Sequence, residues 1–227
     1  MGKNIVNTID GKIKVNNVLI SVSDKNGLDS FVENLVSINP DIKIFSTGGT
    51  YNKIKGILKE KAEKNLIAVS DYTGQPETQG GLVKTLDFKI YLGLLTETYN
   101  DSHQEDLKRT DAVAIDMIVV NLYPFKETIA KDDATFEKAR GNIDIGGPCM
   151  IRASAKNCIR VASVVSPEDY DQITAELKNN NGYMDFKMRY ELASKAFRHT
   201  YEYDQSICRY FESTEFRKQV ASCYQEN

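Results

Sequence analysis

Asn17-Val18-Leu19-Ile20-Ser21-Val22-Ser23, followed at once by Asp24-Lys25-Asn26-Gly27, decides the fold class. A β-branched apolar run that stops at a polar turn reads as a buried strand ending in a loop. Beyond the turn, Leu28, Phe31, Val32, Leu35 and Val36 recur at i, i+3, i+4, i+7 and i+8. That spacing predicts one apolar helix stripe, with Pro40 just past its end. Ile42-Lys43-Ile44-Phe45 repeats the strand signal, Ser46-Thr47-Gly48-Gly49-Thr50 the loop, and Ile54, Ile57 and Leu58 the helical spacing. This alternation is that of a parallel sheet. The expected fold class is α/β, an open and mostly parallel sheet.

Working outward, further strands are expected at Leu66 to Val69, Ile90 to Leu95, Met117 to Val120 and Val161 to Val165. Ser166-Pro167-Glu168-Asp169 combines an N-cap, a Pro at the first helical position and an acidic first turn, which predicts a helix to about Leu177. After the turn Asn179 to Gly182, Asp185 caps a long final helix through Tyr190, Ala193 and Phe197 to about Tyr210. The 227 residues are read as one domain, with residues 1–16 an N-terminal extension and 213–227 a C-terminal tail.

Composition narrows the function classes. A net charge of −3, with 27% charged and 41% hydrophobic residues, fits a folded soluble chain and argues against a nucleic-acid partner. No apolar run reaches the roughly 18 residues of a membrane span, and Met1 to Asp10 holds no secretory apolar stretch. Met1-Gly2 is followed by Val6 rather than Ser or Thr, so the myristoylation pattern fails. The expectation is a cytoplasmic protein without a membrane partner. Cys149, Cys158, Cys208 and Cys223 form no CxxC pair, and His103 and His199 lie far apart, so no metal is expected and the thiols are read as reduced.

In parallel sheets ligands bind beyond the carboxyl ends of the strands. Ser46 to Thr50 offers hydroxyls and a Gly48-Gly49 backbone that an oxyanion can approach, ahead of a helix N-terminus, and Lys25 adds a charge from the neighbouring loop. No Walker A or GxGxxG motif is present. Lys84 stands between apolar neighbours after Gly80-Gly81, and Asn121 and Tyr123 emerge at the end of an apolar strand. Asp144 lies between Ile143 and Ile145, before Gly146-Gly147; an acid in apolar surroundings must pair or shift its pKa. Arg152 and Lys156, at i and i+4, share a face if their segment is helical, and Lys156 is then a charge partner for Asp144.

In this order, Ser21 to Lys25, Ser46 to Thr50, Gly80-Gly81 with Val83 to Leu86, Asn121 to Phe125, Ile143 to Gly147 and Arg152 to Asn157 resemble the inosine monophosphate (IMP) cyclohydrolase domain. That domain is the N-terminal part of a bifunctional purine-synthesis family. The resemblance runs from about Asn17 to Phe211 and ends with Lys195 to Thr200 and Tyr203-Asp204. It implies a methylglyoxal synthase-like, Rossmann-like three-layer fold with added C-terminal helices. It implies ring closure of 5-formamidoimidazole-4-carboxamide ribotide to inosine monophosphate with loss of water, without a cofactor. Lys84 is then assigned to the formyl oxygen, and Asp144, Lys156 and Tyr123 to the carboxamide. Thr85, Asn121 and Gly146 would orient base and ribose, and Lys25, Ser46, Gly48, Gly49 and Thr50, with Ser23 nearby, would hold the 5′-phosphate. A homodimer is implied, and with no room for the family's formyltransferase half, that enzyme is expected as a separate partner.

One stretch departs from the family. Where Gly-Arg-Val-Lys-Thr-Leu-His-Pro is usual, this chain reads Gly81-Leu82-Val83-Lys84-Thr85-Leu86-Asp87-Phe88, and Lys89 is the one nearby cation that could replace the missing Arg. The competing readings are a non-catalytic sensor of a phosphorylated metabolite, which needs only the phosphate loop, and methylglyoxal synthase, for which the two histidines lie in no recognisable site motif.

Overall fold

The computed structural model describes residues 5–76, 78 and 83–225, so Met1-Gly2 and Gly80-Gly81-Leu82 lie outside the described residues. Chain order begins with β1 (Lys12–Lys14), β2 (Asn17–Ser21), α1 (Leu28–Ile38), β3 (Lys43–Ser46) and α2 (Gly48–Leu58). A short α3 (Ala62–Asn65), β4 (Leu66–Ala68), α4 (Val69–Thr73), α5 (Phe88–Leu95) and α6 (Asp101–Arg109) lead to β5 (Met117–Val120). Then come α7 (Phe125–Ile129), α8 (Phe136–Gly141), α9 (Gly146–Lys156), β6 (Ala162–Val164), α10 (Tyr170–Asn179), β7 (Tyr183–Asp185) and α11 (Phe186–Ser213).

Strands β4-β3-β2-β5-β6 form one sheet in that order, parallel throughout. Alternation of side chains splits the apolar strands between two cores, because successive residues face opposite sides. Val18, Ile20, Ile44, Met117 and Val119 pack with the stripe of α1 and with α2 and α10. Leu19, Phe45, Ile118 and Val120 pack on the other face with residues of α5, α9 and α11. The stripe of α1 is buried at all five expected positions. Phe31 stacks on Tyr170 at 4.3 Å and 14°, which adds about 0.5–1.5 kcal/mol to the area it buries and fixes α1 against α10.

The predicted caps form. Ser166 accepts from the Glu168 N–H, and Asp185 accepts from the Met188 N–H at 2.7 Å and starts α11. One expectation is overturned: Ile90 to Leu95 is helical, as most of α5. Asp87 caps it, accepting from the Lys89 N–H at 2.7 Å, and Ile90, Gly93 and Leu94 are buried at helical spacing. The apolar run masked a period that the cap reveals. The segment before Asn17 is also tied in, since β1 pairs antiparallel with β7. At the chain's other end, the Tyr224 hydroxyl bonds Glu137.

Candidate functional site

Strand β2 is flanked by β3 on one side and β5 on the other. The chain builds one half of the sheet, then returns across β2 to build the rest. Beyond the carboxyl ends of β2 and β5 the connections diverge, and this switch point is where such sheets bind ligands. A cleft of about 640 Å³ opens there, between the loops after β2, β3 and β5, residues 83–86 and residues 141–147. That size suits a nucleotide-sized molecule.

One end of the cleft is built for an anion. Thr47 is extended and places no side-chain cap on α2, so the N–H groups of its first turn lack intrahelical acceptors. The Lys84 ammonium lies 3.3 Å from where a Cβ on Gly48 would stand, and Gly48 has φ +53°; a side chain there would be strained and would crowd the ammonium. Lys25 turns its Nζ to the carbonyls of Val22 and Ser23, at 3.1 and 3.3 Å. Gly49 and Ser23 line the same space. The Thr50 hydroxyl also lines it but is engaged with Val22, donating to its carbonyl at 3.0 Å and accepting from its N–H at 3.2 Å. Ser46 corrects the sequence reading. It is fully buried, donates to the Ile20 carbonyl at 2.8 Å and lies outside the cleft.

Asn121 lines the cleft but spends its amide on the protein. It accepts from the N–H groups of Ser23 and Asp24 at 2.7 and 2.9 Å and donates to the Asp24 carbonyl at 2.9 Å. It therefore stitches the β5 loop to the β2 loop. Tyr123 is 54% exposed at the rim, which rules out a core role for it.

Asp144 lines another wall of the same cleft. Burial raises its carboxyl above the ordinary carboxylate range, and backbone N–H groups of Gly147, at 2.8 Å, and Tyr123 draw it partly back. Both glycines after it are demanded by close approach. A Cβ on Gly147 would stand 2.7 Å from the carboxylate, and one on Gly146 2.6 Å from the hydroxyl of buried Thr85. Sequence reasoning missed Tyr91, whose buried hydroxyl faces Cys149 and Asp144 and has no hydrogen-bond partner among the described residues. Its run, Ile90 to Leu95, reads as a strand from the sequence alone.

Lys156 does not join this wall. It ends α9, exposed, ten residues beyond Gly146, which is about 15 Å along the helix axis. Arg152 shares its exposed face and lies over Phe197 at 5.8 Å. Facing Asp144 within one chain is therefore excluded for Lys156. Lys89 points elsewhere as well: its Nζ sits over the Tyr72 ring at 5.4 Å. Asp87 and Phe88 serve as the cap and first residue of α5, Phe88 being 59% exposed.

Residues 27–149 match the model of the MGS-like domain. The chain belongs to that family. Residues 154–227 match the model of the AICARFT/IMPCHase bienzyme, so the MGS-like unit continues into helices that the bienzyme family shares. A bifunctional purine biosynthesis protein PurH of Streptococcus mutans is 48% identical over 85% of this chain and 36% of its own length. The PurH of Thermoanaerobacter sp. (strain X514) is 46% identical over 92% of this chain and 40% of its own. The chain thus spans well under half the length of these curated relatives. The crystal structure of ForH superposes with a TM-score of 0.71 at 29% identity, covering 86% of this chain and 98% of that one. Among the described residues no helix of this MGS-like chain is long and apolar enough to cross a membrane.

Proposed function

We propose that the cleft closes 5-formamidoimidazole-4-carboxamide ribotide into inosine monophosphate. The observation that carries this reading is one cavity lined by an uncapped helix N-terminus, two ammonium groups and a partly buried carboxylate. A ribotide matches that set: a dianionic phosphate, then a base whose carboxamide must lose a proton. The 5′-phosphate meets the first turn of α2, Lys25 and Gly49. Thr85 and the stitched Asn121 loop shape the middle, and Tyr123 offers a ring face to the base.

The reaction is intramolecular, so the protein's task is to hold the reactive rotamer and move protons. The carboxamide nitrogen attacks the formyl carbon, forming the C–N bond, while Asp144 accepts its proton. A carboxylate raised by burial is a stronger base than an ordinary one. Lys84 swings on its flexible stem from Gly48 to the formyl oxygen, stabilises the developing charge and protonates it. Loss of water then breaks the C–O bond and removes the formamide N–H proton. No step calls for a metal or organic cofactor.

Lys156 can take part only from a second copy, which the homodimer implied by the resemblance would supply. Mixing Lys84→Ala and Lys156→Ala chains tests this: with random pairing, about a quarter of wild-type activity returns if the site is shared, and none if it is not. A formyltransferase step that supplies the substrate and a cytoplasmic setting belong to the same proposal, as does a single-domain organisation over 1–227.

The sensor reading keeps one point in its favour: a single chain completes the phosphate end but lacks Lys156 at the other. Ultraviolet absorbance of the protein mixed with the formamido ribotide separates the two. Conversion well above the spontaneous rate is expected; saturable binding without conversion would leave the sensor.

A further inference from the structure

We propose that Tyr203, on α11, is a positioning residue that sets the place of Asp144 by accepting a hydrogen bond from its backbone N–H. This deepens the ring-closure reading and rests on it. The Asp144 N–H meets the Tyr203 hydroxyl at 2.7 Å across 59 residues of sequence. Asp144 sits just ahead of α9, where Ile145 contributes no side-chain cap and the Asp144 carboxylate accepts from the Gly147 N–H instead. Tyr203 is buried, and its ring also meets Phe125 edge-on, with centroids 6.3 Å apart. Phe125 begins α7, directly after the loop that carries Asn121 and Tyr123. One side chain therefore braces both loops of the cleft wall, the first through its hydroxyl and the second through its ring.

The chemistry requires this brace. A base must stand within hydrogen-bond reach of the proton it takes, and a misplacement of about 1 Å can cost a hundredfold in rate. Asp144 has backbone N–H donors for its carboxylate, from Gly147 in the first turn of α9 and from Tyr123 in the β5 loop, and these orient the side chain rather than the residue's own backbone. The Tyr203 bond ties that backbone to the long helix that packs on α9 and β6, and among the described residues no other hydrogen bond does so. The acids facing the phenol are Asp144 and Asp204, and burial holds it protonated, so the hydroxyl stays a neutral acceptor with its own proton to give.

Tyr203→Phe removes the hydroxyl and keeps the ring. The expected result is a fall in kcat of about tenfold, the size of one lost hydrogen bond, with KM for the ribotide within twofold and the thermal midpoint lowered by no more than about 2–4 °C. Hydrogen exchange at the Asp144 amide should quicken by a similar factor. Tyr203→Leu, which also loses the contact with Phe125, should lower the midpoint as well. A kcat within twofold of wild type, or an Asp144 amide that exchanges no faster in Tyr203→Phe, would overturn the assignment. If the wild-type protein itself converts no ribotide, the ring-closure reading falls, while the exchange measurement still decides whether Tyr203 holds Asp144.

Discussion

At the amino ends of the sheet, Asp116, Arg160 and Arg189 are buried, and each is answered by protein. Asp116 accepts from the N–H groups of Asn16 and Asn17, both at 2.9 Å, and faces Arg160 at 3.3 Å. Arg160 also donates to the carbonyls of Gly93 and Thr96. Arg189 donates to four carbonyls, those of Asp10, Cys158, Ile159 and Met184. At the carboxyl ends, Lys25, Lys84 and Asp144 make no ion pair among the described residues, although all three line one cleft. Charges that the fold completes hold the structure together; charges that it leaves open await a ligand. This contrast, more than the size of the cavity, marks which end of the sheet does chemistry.

The sharpest way to break the comparison is to remove a charge from the completed end. Arg160→Met should leave Asp116 buried without its cation, at a cost of about 3–5 kcal/mol, measured by denaturant titration. Burial already raises the Asp116 carboxyl against the pull of Arg160, so the acid would become harder still to ionise. Turnover per folded molecule should not change. A loss below about 1 kcal/mol, the range of exposed pairs, would mean that solvent reaches this cluster and that the two ends differ less than their burial indicates.

At the open end the sign reverses. Burial raises the Asp144 carboxyl, so the fold disfavours its ionised form. That penalty is absent below about pH 3.9, where the unfolded chain also holds the proton, and grows as pH rises through the higher folded value. Asp144→Asn should therefore raise the thermal midpoint at neutral pH and leave it unchanged near pH 4. The same variant should reduce turnover by about 10²–10³, as for loss of one preorganised catalytic group. A midpoint that falls at neutral pH would show that Asp144 is structurally paired, and its place in the mechanism would go with it.

How much of this was legible in the sequence follows the same division. The sheet was legible because its strands are short β-branched runs between turns, α1 because of its apolar stripe, and α10 and α11 because of the capping residues ahead of them. Asp144 was legible because an acid between isoleucines has to be resolved somehow, and the structure leaves it raised and unpaired. Lys156 was misplaced because the i, i+4 rule fixes a face and says nothing of distance: eleven residues of α9 carry it away from the site. Asn121 and Thr50 were read as ligand groups, yet their polar atoms bond the backbone of neighbouring loops. A residue type at a strand end does not reveal whether the protein has already used it, since that depends on loops far away in sequence. Tyr203 was legible only as a motif letter, because its bond spans 59 residues.

Ser46 gives the smallest test and the finest one. By position it belongs to the phosphate loop, and by structure to the sheet: β3 pairs it with Ile20, and its hydroxyl donates to that residue's carbonyl with no access to the cleft. Ser46→Ala removes the donor and leaves a carbonyl with a second lone pair unused, so stability should fall by about 1 kcal/mol. Affinity for inosine monophosphate, read by calorimetry, should stay within twofold, because the phosphate meets N–H groups of α2 and the ammonium group of Lys25. If affinity fell tenfold with stability unchanged, the hydroxyl would have to turn outward when the nucleotide binds. The boundary between completed and open polar groups would then lie one residue deeper in the sheet, inside β3 itself.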